Sequence, residues 1–561
     1  MMKVTTLSLL AVLFNLSGYC YALINPFLPG WNPDPTFLRV GDDYFVVTST
    51  FEYFPGHPIY HSKNLVDWKL IGHGLTRPSQ LSLMGTPTDA GLWAPGLRYN
   101  NGTFYLVSTA RYAYTNEYRL FPRSFYVTTD DIFHGEWSDP VYFDSLGYDA
   151  DLFFDENGDV YNTWCGINNA MDKIYGIYQN KIDIATGNSL TTDELIFNGT
   201  LPLNSSSRPE GPHVYLINST YYLLIAEGGT DNNHRATIQR GPSPSGPWEN
   251  NPMNPILYNG ADKSLPVQRT GHADIVEGAN GSWWGVALGG RPQGGNDSHL
   301  QLGRESFIFP VSWEDGWPVF NGGEPISEHI EGVLEDKSPL VKYTNEFDSD
   351  SLDLTFYNVR TPYKPFHSLT ARPGHLRLNG NGYAPGDRDS AALLLRKQTS
   401  YDEVFETELD FQPTSNLTEA GISVYYGDQL HNEIAVCGDP NGGEGRFVKV
   451  KTIVQAEQEG PWSLTYTNNT ITTVEYYPLA TTSAPVKLTA VGASTNYTLG
   501  YAEGDDAWMY PVTFDSAAIS VPPFGGFFFK GAAFGIYSTG NGRSNLVPAD
   551  FSYWKQTPTG I

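Results

Sequence analysis

One arrangement of apolar and polar positions recurs five times along roughly the first three hundred residues. A short apolar strand leads, a turn rich in Gly, Asn or Asp follows, and an aromatic-led strand closes the unit. The five units begin at Asp34, Trp93, Asp149, Glu210 and His272. In the first, Thr36-Phe-Leu-Arg-Val runs through Gly41-Asp-Asp into Tyr44-Phe-Val-Val. In the fourth, His213-Val-Tyr-Leu-Ile runs through Asn218-Ser into Thr220-Tyr-Tyr-Leu-Leu. Two short apolar runs around such a turn predict a β-hairpin. A repeat of about 60 residues lies near the periods that mark solenoids and propellers. Five all-β units of this size predict a five-bladed β-propeller, with blades packed radially about a central channel.

Equivalent positions of the blades then face one axis. The leading slot brings Asp34, Trp93, Asp149, Glu210 and His272 to one end of the channel. Fold stability gives no reason to gather three carboxylates there, because like charges raise one another's pKa and destabilise the site. Chemistry does.

Between the hairpins run segments ending in Trp68, Trp137 and Trp248, which are expected to pack the blade edges. The pattern stops near Trp313, and a stretch rich in Gly, Pro and Glu follows, the composition of a surface linker. Beyond Phe347 the runs Val404–Phe411, Gly421–Tyr426 and Ala533–Ser538 alternate or cluster apolar residues at strand length. No amphipathic helix pattern is convincing. The expected organisation is all-β: residues 1–22 a leader, 23–325 the propeller, 326–345 a linker and 346–561 a β-sandwich of the concanavalin-like kind.

Composition narrows the partners. The 561 residues carry a net charge of −27, which argues against nucleic acid or an anionic membrane. Aromatic residues make up 14% of the chain, and such faces stack on sugar rings, although all-β folds are aromatic-rich in any case. Lys3 followed by the apolar stretch Leu7–Leu16 reads as a secretory signal, too short to span a bilayer, so the expected location is extracellular. Asn-x-Ser/Thr sequons stand at Asn101, Asn198, Asn204, Asn218, Asn280, Asn296, Asn416, Asn468 and Asn496, and would carry glycans in a eukaryotic host. Cys165 and Cys437 lie outside any metal-ligand spacing, and a disulfide between them has no sequence support. The sequence sets no oligomeric state.

Two carboxyl groups across a glycosidic bond are the minimum for sugar hydrolysis, one to protonate the leaving oxygen and one to attack or to activate water. A third can raise the pKa of the acid. Prolines flank Asp34 in Asn32-Pro-Asp-Pro-Thr and Glu210 in Arg208-Pro-Glu-Gly-Pro, fixing the backbone that aims each side chain. These words resemble glycoside hydrolase family 43, in its two-domain β-xylosidase branch. So do Thr48-Ser-Thr-Phe-Glu-Tyr-Phe-Pro-Gly, Gly91-Leu-Trp-Ala-Pro, Tyr148-Asp-Ala-Asp-Leu, Thr270-Gly-His and Leu302-Gly-Arg-Glu. In the second domain, Ser368-Leu-Thr-Ala-Arg-Pro-Gly-His-Leu-Arg-Leu is similar to that branch's sandwich.

The resemblance implies hydrolysis with inversion, releasing xylose from xylo-oligosaccharides or arabinose from arabinosyl substrates. Asp34 is then the general base, Glu210 the general acid, and Asp149, rather than its neighbour Asp151, the group that orients Glu210 and raises its pKa. Trp93 and Phe51 are candidate pocket walls, Arg291 a contact to substrate hydroxyls, and Phe529 an aromatic lent by the sandwich. His272 matches a channel histidine that meets a calcium ion or waters below the sugar, though Ala273 stands where the family has Gly. No cofactor is required by this chemistry.

Overall fold

The computed structural model describes residues 22–114, 119–168, 173–202, 208–294, 299–331, 338–455, 470–520 and 529–559. All of the expected leader except Ala22 lies outside these. Five antiparallel sheets form the propeller, each with consecutive strands in the order they occur in the chain. Their innermost strands are Thr36–Val40, Gly96–Asn100, Gly147–Phe154, Glu210–Ile217 and Gln268–Glu277. The hairpins read from the sequence are these strands and their partners: Phe37 pairs with Val46, Leu97 with Leu106, and Tyr215 with Tyr222.

Among the described residues no blade borrows a strand from the chain's start. The ring is closed instead by side-chain and main-chain clamps between residues 25–32 and the last blade. Asn25 Nδ2 donates to the Ile308 carbonyl at 2.9 Å, and the Ile308 N–H donates to Asn25 Oδ1 at 3.0 Å. Ala22–Ile24 then pairs with His329–Glu331, just beyond the final blade. The tryptophans of the outer segments pack where expected. Trp68 lies against Phe27, Trp137 is buried in the core between the first two blades, and Trp248 joins the core of the third and fourth.

The second domain is a sandwich of a nine-stranded and an eight-stranded sheet. Its apolar runs occupy Glu403–Asp410, Glu419–Gly427 and Ala533–Thr539, and the core centres on Phe405, stacked between Trp554 and Phe534. Among the described residues the only helical elements are two short 3-10 turns. One feature of the domain junction was not visible in the sequence. The end strand of the eight-stranded sheet is Tyr53–Phe54, a loop of the first blade that pairs with Tyr357–Val359. The domains therefore share a sheet. Cys165 and Cys437 are both buried free thiols.

Candidate active site

The leading slot becomes a site through a repeated irregularity of the inner strands. Pairing with the second strand skips at Asp149-Ala150, at Gly211-Pro212 and at His272-Ala273. Such bulges bend the strand and re-aim a side chain. Asp34, Asp149 and His272 sit in the left-handed region, with φ of 56°, 54° and 48°. Non-glycine residues held there store strain, and such positions cluster at functional sites. After Glu210 the same conformation falls on Gly211, with φ of 56°, where a Cβ would lie 2.7 Å from His272 Nε2. Glycine is required there both for the backbone and for the close approach.

The result is a pocket of about 110 Å³ at one end of the channel. Asp34, Asp149 and Glu210 converge on it, with His272 also in its lining. Its aromatic wall is Phe51, Trp93, Tyr148 and Phe529: the Phe529 ring stacks on Phe51 at 5.9 Å and meets Trp93 edge-on at 5.3 Å. Pockets for drug-sized ligands run to about 300–1,000 Å³, so this one suits a single sugar ring.

Asp34 and Asp149 are buried and Glu210 is partly buried, and the three carboxyls are held in different protonation states. Burial alone would raise the Asp34 pKa. The Arg304 guanidinium, with Nη1 3.0 Å from Oδ1, reverses this and holds it below the usual carboxylate range, helped by Ser49 Oγ donating at 2.7 Å. Glu210 has no comparable neutralisation. Burial pushes its pKa up to about 7, Arg208 opposes, and the Asp34 charge adds to the rise. Asp149 is raised too, by burial and by Glu210, although the Gly211 N–H donates to its Oδ2 at 3.1 Å. Asp149 and Glu210 thus hold a proton between them into the neutral range, as like charges buried together must. Burial lowers the His272 pKa to about 4, so the ring is neutral at pH 7.

Further along the inner strands lies a second polar layer. Arg98 pairs with Asp151 through Nη2 and with Asp274 through Nη1 at 3.4 Å. His213 Nδ1 is 2.8 Å from Asp151, and Tyr215 donates to Asp274 at 2.6 Å. Asp151 therefore faces this layer and not the pocket, which leaves Asp149 as the carboxyl beside Glu210. The layer also bears on calcium. Around His272 the carboxylates are engaged already, Asp34 by Arg304 and the deeper pair by Arg98. Among the described residues no group of three or more His, Cys, Asp or Glu side chains is arranged to hold a metal. The residues present do not fit a directly ligated calcium ion, because a guanidinium supplies the positive charge on the axis.

Of the residues expected from the sequence, Asp34, Glu210, Asp149, Trp93, Phe51, His272 and Phe529 line the pocket. Arg291 does not. It forms a two-pronged pair with Glu305 at 2.7 and 3.0 Å and a third contact to Glu328 at 3.0 Å. With Tyr401 donating to its carbonyl, it ties the last blade to the sandwich. The expectation of a substrate contact is corrected: buried Glu305 needs a cation, and Arg291 is that cation. The pocket arginines are instead Arg111, Arg208 and Arg304. Arg208 and Arg304 stand inside words already singled out, beside Glu210 and Glu305, and could have been found there. Arg111, which lies over the Trp93 ring at 4.2 Å, and His234 carry no local signal.

Comparison with known proteins agrees with this geometry. Residues 23–318 match the family described as Glycosyl hydrolases family 43, and residues 344–557 match the Beta xylosidase C-terminal Concanavalin A-like domain. A Bacteroides ovatus protein named Non-reducing end alpha-L-arabinofuranosidase BoGH43B is 36% identical over 94% of this chain and 94% of its own length. A Beta-xylosidase of Bacillus subtilis is 33% identical over 95% of this chain and 99% of its own. A crystal structure of a xylan beta-1,4-xylosidase from Bacillus halodurans superposes with a TM-score of 0.85 at 32% identity, covering 95% of this chain and all of that one. On its propeller, its sandwich and these relatives, the chain belongs to glycoside hydrolase family 43.

Proposed function

We propose that the protein is a secreted exo-glycosidase that removes single xyloses from the non-reducing ends of xylo-oligosaccharides, with inversion, in xylan breakdown. One observation carries this reading. In a pocket sized for one sugar ring, Asp34 is held ionised by Arg304 while Glu210 keeps a proton near neutral pH. That division of state is what acid and base roles require.

In the proposed mechanism Glu210 gives its proton to the glycosidic oxygen as that oxygen leaves the anomeric carbon. Asp34 takes a proton from a water, whose oxygen forms the new bond on the opposite face. Asp149 holds the Glu210 proton in place through their shared burial and accepts the Gly211 N–H. Phe51, Trp93 and Phe529 stack on the ring, and Arg304 keeps the base ionised. No step calls for a cofactor. The leader at residues 1–22 supports export. Of the sequons, Asn101, Asn198, Asn218, Asn280 and Asn416 are exposed, which supports glycosylation if the host provides it.

A second reading keeps this machinery and changes the sugar to α-L-arabinofuranose. The Bacteroides relative, named as a non-reducing end alpha-L-arabinofuranosidase, favours it. The test is kcat/KM on aryl β-D-xyloside and aryl α-L-arabinofuranoside side by side, with Glu210→Ala as the control for contaminants. A tenfold preference, about 1.4 kcal/mol in the transition state, decides between the sugars. An α-anomer as the first product from the β-xyloside supports inversion, and a β-anomer overturns it.

A further inference from the structure

A second buried ionic cluster lies behind the aromatic wall, outside the site chemistry. Lys530 Nζ is 2.9 Å from Glu52 Oε1 and 2.9 Å from Asp89 Oδ1. Tyr426 of the sandwich donates to Asp89 Oδ2 at 2.6 Å, and the Asp89 N–H donates to Glu52 Oε2 at 3.1 Å. Lys530, Glu52 and Asp89 are all at 0% exposure. Burying charges this completely is unfavourable even when they are paired, and apolar replacements of such clusters are often at least as stable. Its presence between domains calls for a role beyond adhesion.

We propose that Lys530 is a positioning residue for the sugar pocket, whose ion pairs with Glu52 and Asp89 set the aromatic wall across the domain junction. Each member of the cluster is tied to one wall residue. Glu52 follows Phe51, which sits at a left-handed φ of 54°. Asp89 accepts Trp93 Nε1 on its carbonyl at 3.0 Å. Lys530 follows Phe529. One ammonium group therefore fixes the three rings that meet in the pocket. Part of this segment is also held by bonds to the last blade, the Ala532 N–H donating to the Gln301 carbonyl at 2.7 Å and the Arg304 side-chain Nε donating to the Phe529 carbonyl at 2.9 Å. Those bonds anchor Phe529 to the last blade, and the Arg304 guanidinium lies 5.9 Å from the Phe51 ring as well. The cluster is tied to all three rings.

The proposal rests on the glycosidase reading for its kinetic part. Ring stacking acts on bound substrate and transition state alike, so its loss raises KM more than it lowers kcat. Lys530→Met should raise KM roughly tenfold or more with kcat within about threefold of wild type. That variant leaves two buried carboxyls without their cation and can fail to fold. Asp89→Asn, isosteric and neutral, is therefore the second variant, with KM expected to rise about three- to fivefold. The crystal structure of whichever variant folds is the independent readout, with Phe529 expected to leave its stacked position on Phe51. An unchanged KM in Asp89→Asn, a fall in kcat at constant KM, or rings that keep their wild-type contacts would overturn the assignment. If wild-type protein turns over no glycoside, the functional reading fails. The ring positions then decide the role of Lys530 alone.

Discussion

Two layers of the propeller channel, built a few residues apart on the same inner strands, treat charge in opposite ways. In the deeper layer Arg98 lies between Asp151 and Asp274, and His213 and Tyr215 complete the set. Burial there is offset: the Asp274 pKa falls to about 2 because His213 and Arg98 outweigh desolvation. In the pocket layer Asp149 is buried and Glu210 partly buried, yet both pKa values rise. The strands and residue types are alike and Glu210 is the less buried, so what differs is the placement of cations. One layer is arranged for stability. The other carries a carboxyl pair that Arg208 and Arg304 compensate only in part, which opposes folding and supplies a proton donor near neutral pH.

The comparison breaks most visibly in activity. Glu210→Gln and Asp34→Asn should each lower kcat/KM by about 10²–10⁴-fold, the range for a general acid or base, measured on the better of the two aryl glycosides. Their effects on stability should nonetheless be small or favourable for Glu210. A carboxyl whose pKa rises from 4.5 to about 7 on folding favours the folded state fully only below pH 4.5. That contribution is lost as pH climbs through 7. Glu210→Gln should therefore gain roughly 1–3 kcal/mol over wild type at pH 8 and little at pH 4, read by denaturant unfolding.

The deeper layer should behave in reverse. Arg98→Met removes the cation from buried Asp151 and Asp274 and should lose about 3–5 kcal/mol in the same unfolding assay. If Arg98→Met left stability untouched, the two layers would not differ as argued. A smaller effect concerns Arg304. Arg304→Met takes away the charge that keeps the Asp34 pKa low, so the acid limb of the kcat/KM profile should move up. The alkaline limb, set by Glu210 near 7, should move up by less, because Arg304 is only the last of the groups that lower the Glu210 pKa.

The sequence carried the repeat and therefore most of this site. Asp34, Asp149, Glu210 and His272 occupy one slot of a 60-residue period, and a period is visible to inspection because every blade must solve the same packing problem. The bulges that turn those side chains into the channel leave a fainter trace, Gly211 being the clearest. Arg291 shows where local reading fails. Its word looks like a substrate contact, but its fate depends on Glu305 and Glu328, at 14 and 37 positions' distance, and on the partner each of them needs. Lys530 and Tyr53–Phe54 were illegible for the same reason. Their role exists only where the two domains meet, and no periodicity records a junction that occurs once.

The smallest expected effect tests the cation of the deeper layer from the other side. If a divalent ion held that layer together, chelation would strip it and the protein would soften. Arg98 already occupies the carboxylates that such an ion would need, through Nη2 on Asp151 and Nη1 on Asp274. The guanidinium cannot be titrated or dialysed away, because its charge persists across the working pH range. Exhaustive treatment with EDTA should therefore leave the unfolding midpoint and kcat/KM unchanged within error. Added calcium should not raise either. A loss of activity on chelation, restored by calcium, would mean that water-mediated coordination reaches His272 after all. The two layers would then differ through a metal as well as through their arginines.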